Sequence, residues 1–175
     1  MQIAIVGVLI LCNGILSMSE FAVVSAERTR LQKLSDEGKR GAAVAVDLIE
    51  NSSRFLSTVQ IGITLVGILA GAFGGAAIAD DLSAILSEWD LIADHAHTIS
   101  LVIVVSATTY FTLVIGELVP KQLAIRHPDR IASWIARPMK VLSTITLPLV
   151  IFLSASSAAV LKLLGQSAEP EESPV

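Results

Sequence analysis

The chain holds a single cysteine, Cys12, so no disulfide framework forms within it and no cysteine cluster binds zinc. Aromatic residues make up 5% of the chain, and no basic stripe with interleaved aromatics is present, which excludes the stacking platforms that nucleic-acid binding needs. No nucleophile lies beside a general base, and no phosphate loop or cofactor motif occurs, so the sequence offers no enzyme chemistry. Charged residues are 16% of the total, below the roughly 25% of an ordinary soluble domain, and they are segregated into a few segments. What fills the chain instead is apolar: 53% hydrophobic residues and a mean hydropathy of +0.73. Those values describe a multi-pass membrane protein rather than a soluble domain with a large core. Cys12, alone in an apolar run, reads as a small buried apolar residue.

Three runs are long enough to cross a bilayer, at about 20 residues each: 2–24, 55–79 and 98–120. The first lacks a basic leading segment and is interrupted by Ser17-Met18-Ser19-Glu20, so it does not read as a signal peptide. Asn13, Ser17 and Glu20 fall at helical spacing and form one polar stripe, read either as lining of a pathway or as glue between helices. The second run is rich in small residues, with Gly67 and Gly71 as a G-x-x-x-G pair suited to close helix or subunit packing. In the third, Ser106, Thr109 and Thr112 mark one polar face, and Tyr110 is placed to hydrogen-bond across helices.

Between the runs the charges alternate in sign. Segment 25–54 mixes Lys and Arg with acids and carries apolar residues at helical spacing, interrupted by Gly38 and Gly41; this predicts two amphipathic juxtamembrane helices joined at a glycine turn. The loop 80–97 is acidic, without Lys or Arg. The excess of Lys and Arg in 25–54 and 121–140 therefore places those segments in the cytoplasm and the N-terminus outside. Pro128 and Pro138 are expected to interrupt any helix there. Segment 141–164 is apolar enough to span, yet Pro148 and a run of serines leave it open between a fourth span and a helix wrapping the bundle. Residues 166–175 read as a linker.

The sequence centres on Ile115-Gly116-Glu117-Leu118-Val119-Pro120-Lys121. A carboxylate at membrane depth costs about 2.5–3.5 kcal/mol on insertion scales, so it persists only when paired, protonated or facing a wet cavity. Pro120 lacks a backbone N–H and frees a carbonyl one turn earlier, near Gly116. This predicts a cation site at a helix break, where a freed carbonyl and a carboxylate converge. The alternative is that Glu117 is a half-solvated acid at the helix end. Thr64, near the middle of the second run, is read as a further oxygen donor or as a hydroxyl bonded to its own helix.

Three stretches in order, LSMSEFAVVSAERTRLQKL, TVQIGITLVGILAGAFGG and GELVPKQLAIRHPDRIA, resemble the DUF21 transmembrane domain of the CorC/CNNM proteins, also called hemolysin-related. The resemblance covers nearly the whole chain. It implies an all-α homodimer in the cell membrane, with three transmembrane helices per subunit, and makes 141–164 a belt helix rather than a span. Residues 1–165 would then be the transmembrane domain, and 166–175 would lead to cytoplasmic CBS domains that bind adenine nucleotides. The implied activity is export of Mg2+, with exchange for Na+ proposed for some members. By position, Ser17, Gly116 and Glu117 match the family's cation site. Its second-span pattern, GN-x-L-V-N, is here Gly62-Ile63-Thr64-Leu65-Val66-Gly67, so two amide side chains are replaced. Thr64 or backbone carbonyls near the glycines stand in their place.

The expectation is therefore a magnesium transporter working by alternating access, with Ser17, Thr64, Gly116 and Glu117 holding the ion and Asn13, Glu20, Gly67 and Thr112 lining the path. These are hard oxygen donors, without the soft ligands of zinc or copper. Two readings stand beside it: a transporter of sodium or of a polyamine, whose amines Glu20 and Glu117 would balance, and a non-transporting anchor that dimerises a CBS-domain sensor.

Overall fold

The computed structural model of the chain describes residues 1–89 and 92–165, with the side chains of Arg40, Ala76 and Ala77 left aside; the expected linker at 166–175 lies outside the described residues. Every regular element described is helical. They are α1 (Gln2–Ser25), α2 (Arg28–Asp36), α3 (Arg40–Glu50), α4 (Ser52–Leu86), a short 3-10 helix (Ala93–His95), α5 (Ala96–Leu113), a π turn (Val114–Leu118), α6 (Val119–Arg126), α7 (Pro128–Ile145) and α8 (Leu147–Leu163). Three helical stretches are long and apolar enough to cross a membrane: Gln2–Ser25, Ser52–Leu86 and Ala93–Arg126. The bent pair α7–α8 is a fourth only if both halves are taken as one broken span.

The sequence pattern accounts for the short helices. Gly38 turns the chain between α2 and α3 at φ +84°, a conformation that a Cβ disfavours. Gly41 lets α3 press against α7, because a Cβ there would stand 2.0 Å from the Ser133 carbonyl oxygen. The buried core gathers where these helices meet the C-terminal end of α1, the N-terminal end of α4 and α6. It comprises Leu16, Ala22, Val23, Leu31, Ala45, Phe55, Val59, Ala124, Ala132, Ile135 and Ala136, among others. Its many alanines set the helices at close distance. Away from this core, α1, α4 and α5 turn large apolar side chains outward, among them Val8, Leu11, Leu65, Ile68, Val102 and Phe111, as helices bordered by lipid or by another subunit do.

Several expectations change. Asp80 and Asp81 do not lie in a loop: α4 runs through them to Leu86, and Asp80 Oδ1 lies 3.6 Å from His97 Nε2. Pro128 starts α7 instead of interrupting it, since the first helical position needs no N–H donor. Pro138 lies inside α7 without ending it. It removes the donor for the Trp134 carbonyl, and both residues sit on the exposed face, where that carbonyl can find another partner. The stretch 141–164 is not one element, because the chain bends by 62° between α7 and α8. At that bend Thr58 Oγ1 donates to Arg54 O (3.0 Å) and lies 3.4 Å from Ser143 Oγ and 3.3 Å from Thr146 Oγ1. This hydroxyl cluster ties the start of α4 to the α7–α8 corner. Cys12 is exposed on the outer face of α1, not buried. Tyr110 makes no cross-helix hydrogen bond among the described residues; it is exposed and meets Phe111 edge to face at 5.6 Å.

Candidate functional site

The third span is not broken near the proline but widened. Residues 114–118 form a π turn, in which each N–H reaches one residue further back, and the Val119 N–H bonds to Val114 O. Pro120 explains the need. In a regular α-helix its N–H would serve Gly116 O, and proline has none. The orphaned Gly116 carbonyl is taken up from α1: Asn13 Nδ2 donates to it at 3.1 Å, in a buried bond. This bond also fixes the amide, since the opposite orientation would set two acceptor oxygens against each other. Asn13 is 6% exposed, and its Oδ1 has no hydrogen-bond partner among the described residues.

Glycines permit the close approach. A Cβ on Gly14 would lie 2.9 Å from Ile115 O and 3.1 Å from Pro120 Cγ, and one on Gly116 would lie 3.2 Å from Asn13 Nδ2. The helix backbones of α1 and the π turn are therefore in contact. Ser17 follows Asn13 by one turn on the same face of α1 and is buried at 2% exposure. Glu20, one further turn along, is half-buried. Ser19 is buried too, but its hydroxyl donates to Ile15 O at 2.6 Å, within its own helix.

The other expected residues lie elsewhere. Thr64 and Gly67 are exposed on α4 and Thr112 is half-buried on α5. Gly67 and Thr112 line one shallow groove between these helices, of about 200 Å³, together with Gly71, Thr108 and Thr109. Nothing within the described chain fills the space a Cβ would take at Gly67 or Gly71, so the G-x-x-x-G pair packs no helix of this chain. Glu117 is exposed and makes no ion pair or hydrogen bond among the described residues. Its spacing to Lys121 would suit an i,i+4 pair in a regular helix, but the π turn shifts the register. Lys121 Nζ instead stands 4.1 Å from the centroid of the Phe21 ring.

Asn13 and Gly116 are thus joined directly, with Ser17 one turn away, while Thr64 and Glu117 point outward from a single chain. Gly14 was not singled out by sequence. The signal was present, since it adjoins Asn13 on the polar stripe, but a lone glycine in a span has many uses. No group of three or more His, Cys, Asp or Glu side chains is placed to hold a metal among the described residues. Any cation here would be met by backbone, hydroxyl and amide oxygens with at most one or two carboxylates.

Comparison with known proteins agrees with this architecture. A UPF0053 protein of Synechocystis sp. is 44% identical over 175 residues, all of this chain and 39% of the relative. A UPF0053 protein of Bacillus subtilis is 29% identical over 94% of this chain and 36% of its own length. The polyamine export protein of Haemophilus influenzae is 30% identical over 94% of this chain and 38% of its own length. The chain therefore spans about two fifths of the length of these relatives. The family model described as the Cyclin M transmembrane N-terminal domain matches residues 4–175, and the chain therefore belongs to this CNNM family of membrane domains.

Proposed function

We propose that the chain is the cation-translocating membrane domain of a transporter, with Mg2+ as its substrate and export, in exchange for Na+, as its direction. One observation supports the reading: at the π turn the Gly116 carbonyl meets the Asn13 amide, with the buried Ser17 one turn along α1, and Glu117 follows Gly116 in the same turn with its side chain exposed. Turns of this kind are uncommon and concentrate at functional sites. Mg2+ takes about six hard oxygen ligands at roughly 2.0–2.1 Å and keeps several waters, so a few protein oxygens suffice. The Gly116 carbonyl gives one lone pair to Asn13 and keeps a second for an ion, and Asn13 Oδ1, unpartnered among the described residues, adds a further oxygen if the amide shifts. Such a shift is a small two-state element of the sort alternating access needs.

Glu117 and Thr64 face outward, which supports a homodimer in which a second copy encloses them. The open Gly67–Gly71 face of α4 suits that contact, because small residues let backbones approach. The basic segments would lie in the cytoplasm and lead on to CBS domains in the longer protein.

A second reading is favoured by a specific observation. A relative 30% identical to this chain bears the name polyamine export protein, and the two membrane acids, Glu20 and Glu117, match two amines better than they match a small dication. Reconstitution separates these readings. Purified protein in liposomes carrying a trapped Mg2+ indicator is expected to move Mg2+, with flux falling to the protein-free rate in Glu117→Ala. Flux of radiolabelled putrescine without Mg2+ flux would select the second reading. Flux of neither, by protein shown to be folded, would leave a dimeric anchor.

A further inference from the structure

At the basic end of the molecule, a groove of about 990 Å³ opens between α2 with its glycine turn and the corner where α6 meets α7. Arg30 and Lys39 line one wall, Arg126, His127 and Arg130 the other, and Trp134 stands at its rim. Four of the twelve Lys and Arg residues of the chain thus face one space.

The acids nearby pair with only two of these four cations, Arg30 and Lys39. Asp129, the one acid lining the groove, accepts the Glu27 backbone N–H at 3.0 Å and lies 3.7 Å from Arg30. Arg30 also meets Glu27 at 3.1 Å, and Lys39 lies 4.0 Å from Glu37. Arg126 and Arg130 have no ion pair among the described residues, and both are exposed. Two guanidinium groups, each a planar fork of donors matched to phosphate oxygens, are therefore unused.

The depth of the groove indicates the source of the phosphate. Lys121 ends the apolar run, and Arg126 follows five residues later (121 to 126) on the same helix. At about 1.5 Å per residue that is roughly 7.5 Å beyond the hydrocarbon edge. The headgroup layer is about 5–7 Å thick on each side of the bilayer, so Arg126 sits in or just below it. Trp134 is 72% exposed, as an indole is when it rests among headgroups, and Leu34 and Ile131 give the groove an apolar floor. A free anion has no use for that floor, whereas a glycerophospholipid does.

We propose that this groove binds the phosphodiester headgroup of an anionic membrane lipid, held by Arg126 and Arg130 with Trp134 against its glycerol region. The inference does not depend on which cation, if any, the domain moves.

Trp134 provides the readout. Replacing the chain's other tryptophan (Trp89→Phe) leaves it as the sole indole. The detergent-solubilised protein is titrated with short-chain phosphatidylglycerol, short-chain phosphatidylcholine and sodium phosphate, following Trp134 emission. A saturable shift is expected with phosphatidylglycerol alone, weakened at least tenfold by Arg126→Gln with Arg130→Gln and weakened by added salt. Both arginines are exposed, and circular dichroism with size-exclusion profiles establishes that the double variant is folded. Equal titration by phosphatidylcholine would overturn the proposal in favour of simple apolar contact. Saturation by sodium phosphate, blocking any further response to lipid, would overturn it in favour of a soluble anion. An unchanged titration in the double variant would remove the arginines from the site.

Discussion

Asn13 and Gly116, 103 residues apart in the chain, are joined by a buried hydrogen bond of 3.1 Å from amide to carbonyl. The bond exists because a proline four residues after Gly116 leaves that carbonyl without its helical donor. It ties the first span to the only π turn among the described residues. Asn13→Ala should therefore leave a buried acceptor unserved, at a cost of about 1–3 kcal/mol. Thermal unfolding in detergent is expected to show a lower midpoint. Asn13→Asp should be worse, because an ionised carboxylate would face the same carbonyl. An unchanged midpoint in both variants would mean that the bond contributes nothing to holding the spans together.

Gly14 is the spacer for that contact. Its missing Cβ would meet a backbone oxygen at 2.9 Å, and a carbonyl inside a helix cannot swing aside as a long side chain can. Gly14→Ala is expected to cost about 1–3 kcal/mol through overpacking. Gly7→Ala, seven residues earlier in the same helix with nothing within 4 Å of the new methyl, should be neutral or slightly stabilising. Equal effects of the two would place the cause in helix propensity rather than in contact with the π turn.

The open glycine face of α4 gives a test of the proposed homodimer. The Cβ of Gly67→Leu meets nothing within 4 Å inside the chain, and the rest of the side chain has the shallow α4–α5 groove to enter, so helix content and the monomer fold should persist. If a second copy packs there, the added isobutyl group separates the backbones and the dimer dissociates. Chemical cross-linking or light scattering in detergent distinguishes the outcomes, and a dimer as stable as the parent's would move the interface elsewhere.

Glu117 is expected to matter for transport far more than for folding. It has no ion pair or hydrogen bond within the described chain, so Glu117→Gln removes a charge at membrane depth and should leave stability unchanged or raise it. Flux in liposomes should fall at least tenfold in the same variant. A large loss of stability together with flux would instead make Glu117 a structural residue of the dimer.

How much of this was legible beforehand depends on how local the cause is. Length and apolarity are properties of a stretch of chain, so three spans could be read from composition, and the turn at Gly38 from one residue's conformational freedom. The importance of 115–121 was also legible, because a carboxylate, a glycine and a proline so close together have few common explanations. What the proline does there was not. A helix that loses one donor can kink, end or widen, and here it widens where Asn13 stands opposite and donates to the freed carbonyl. Pro138 shows the same dependence in reverse, since it sits on an exposed face and α7 runs on through it.

By itself, then, the order of residues determined that this is an all-helical membrane domain of a particular family, where its spans lie and which few polar groups they carry. Tertiary structure alone decided which of those groups meet: that Asn13 serves Gly116, that Lys121 turns to Phe21 and away from Glu117, and that Thr64 and Gly67 face outward. The physical reason is that burial in a bilayer can be summed along a chain residue by residue, whereas a hydrogen bond or a van der Waals gap depends on what stands on the other side.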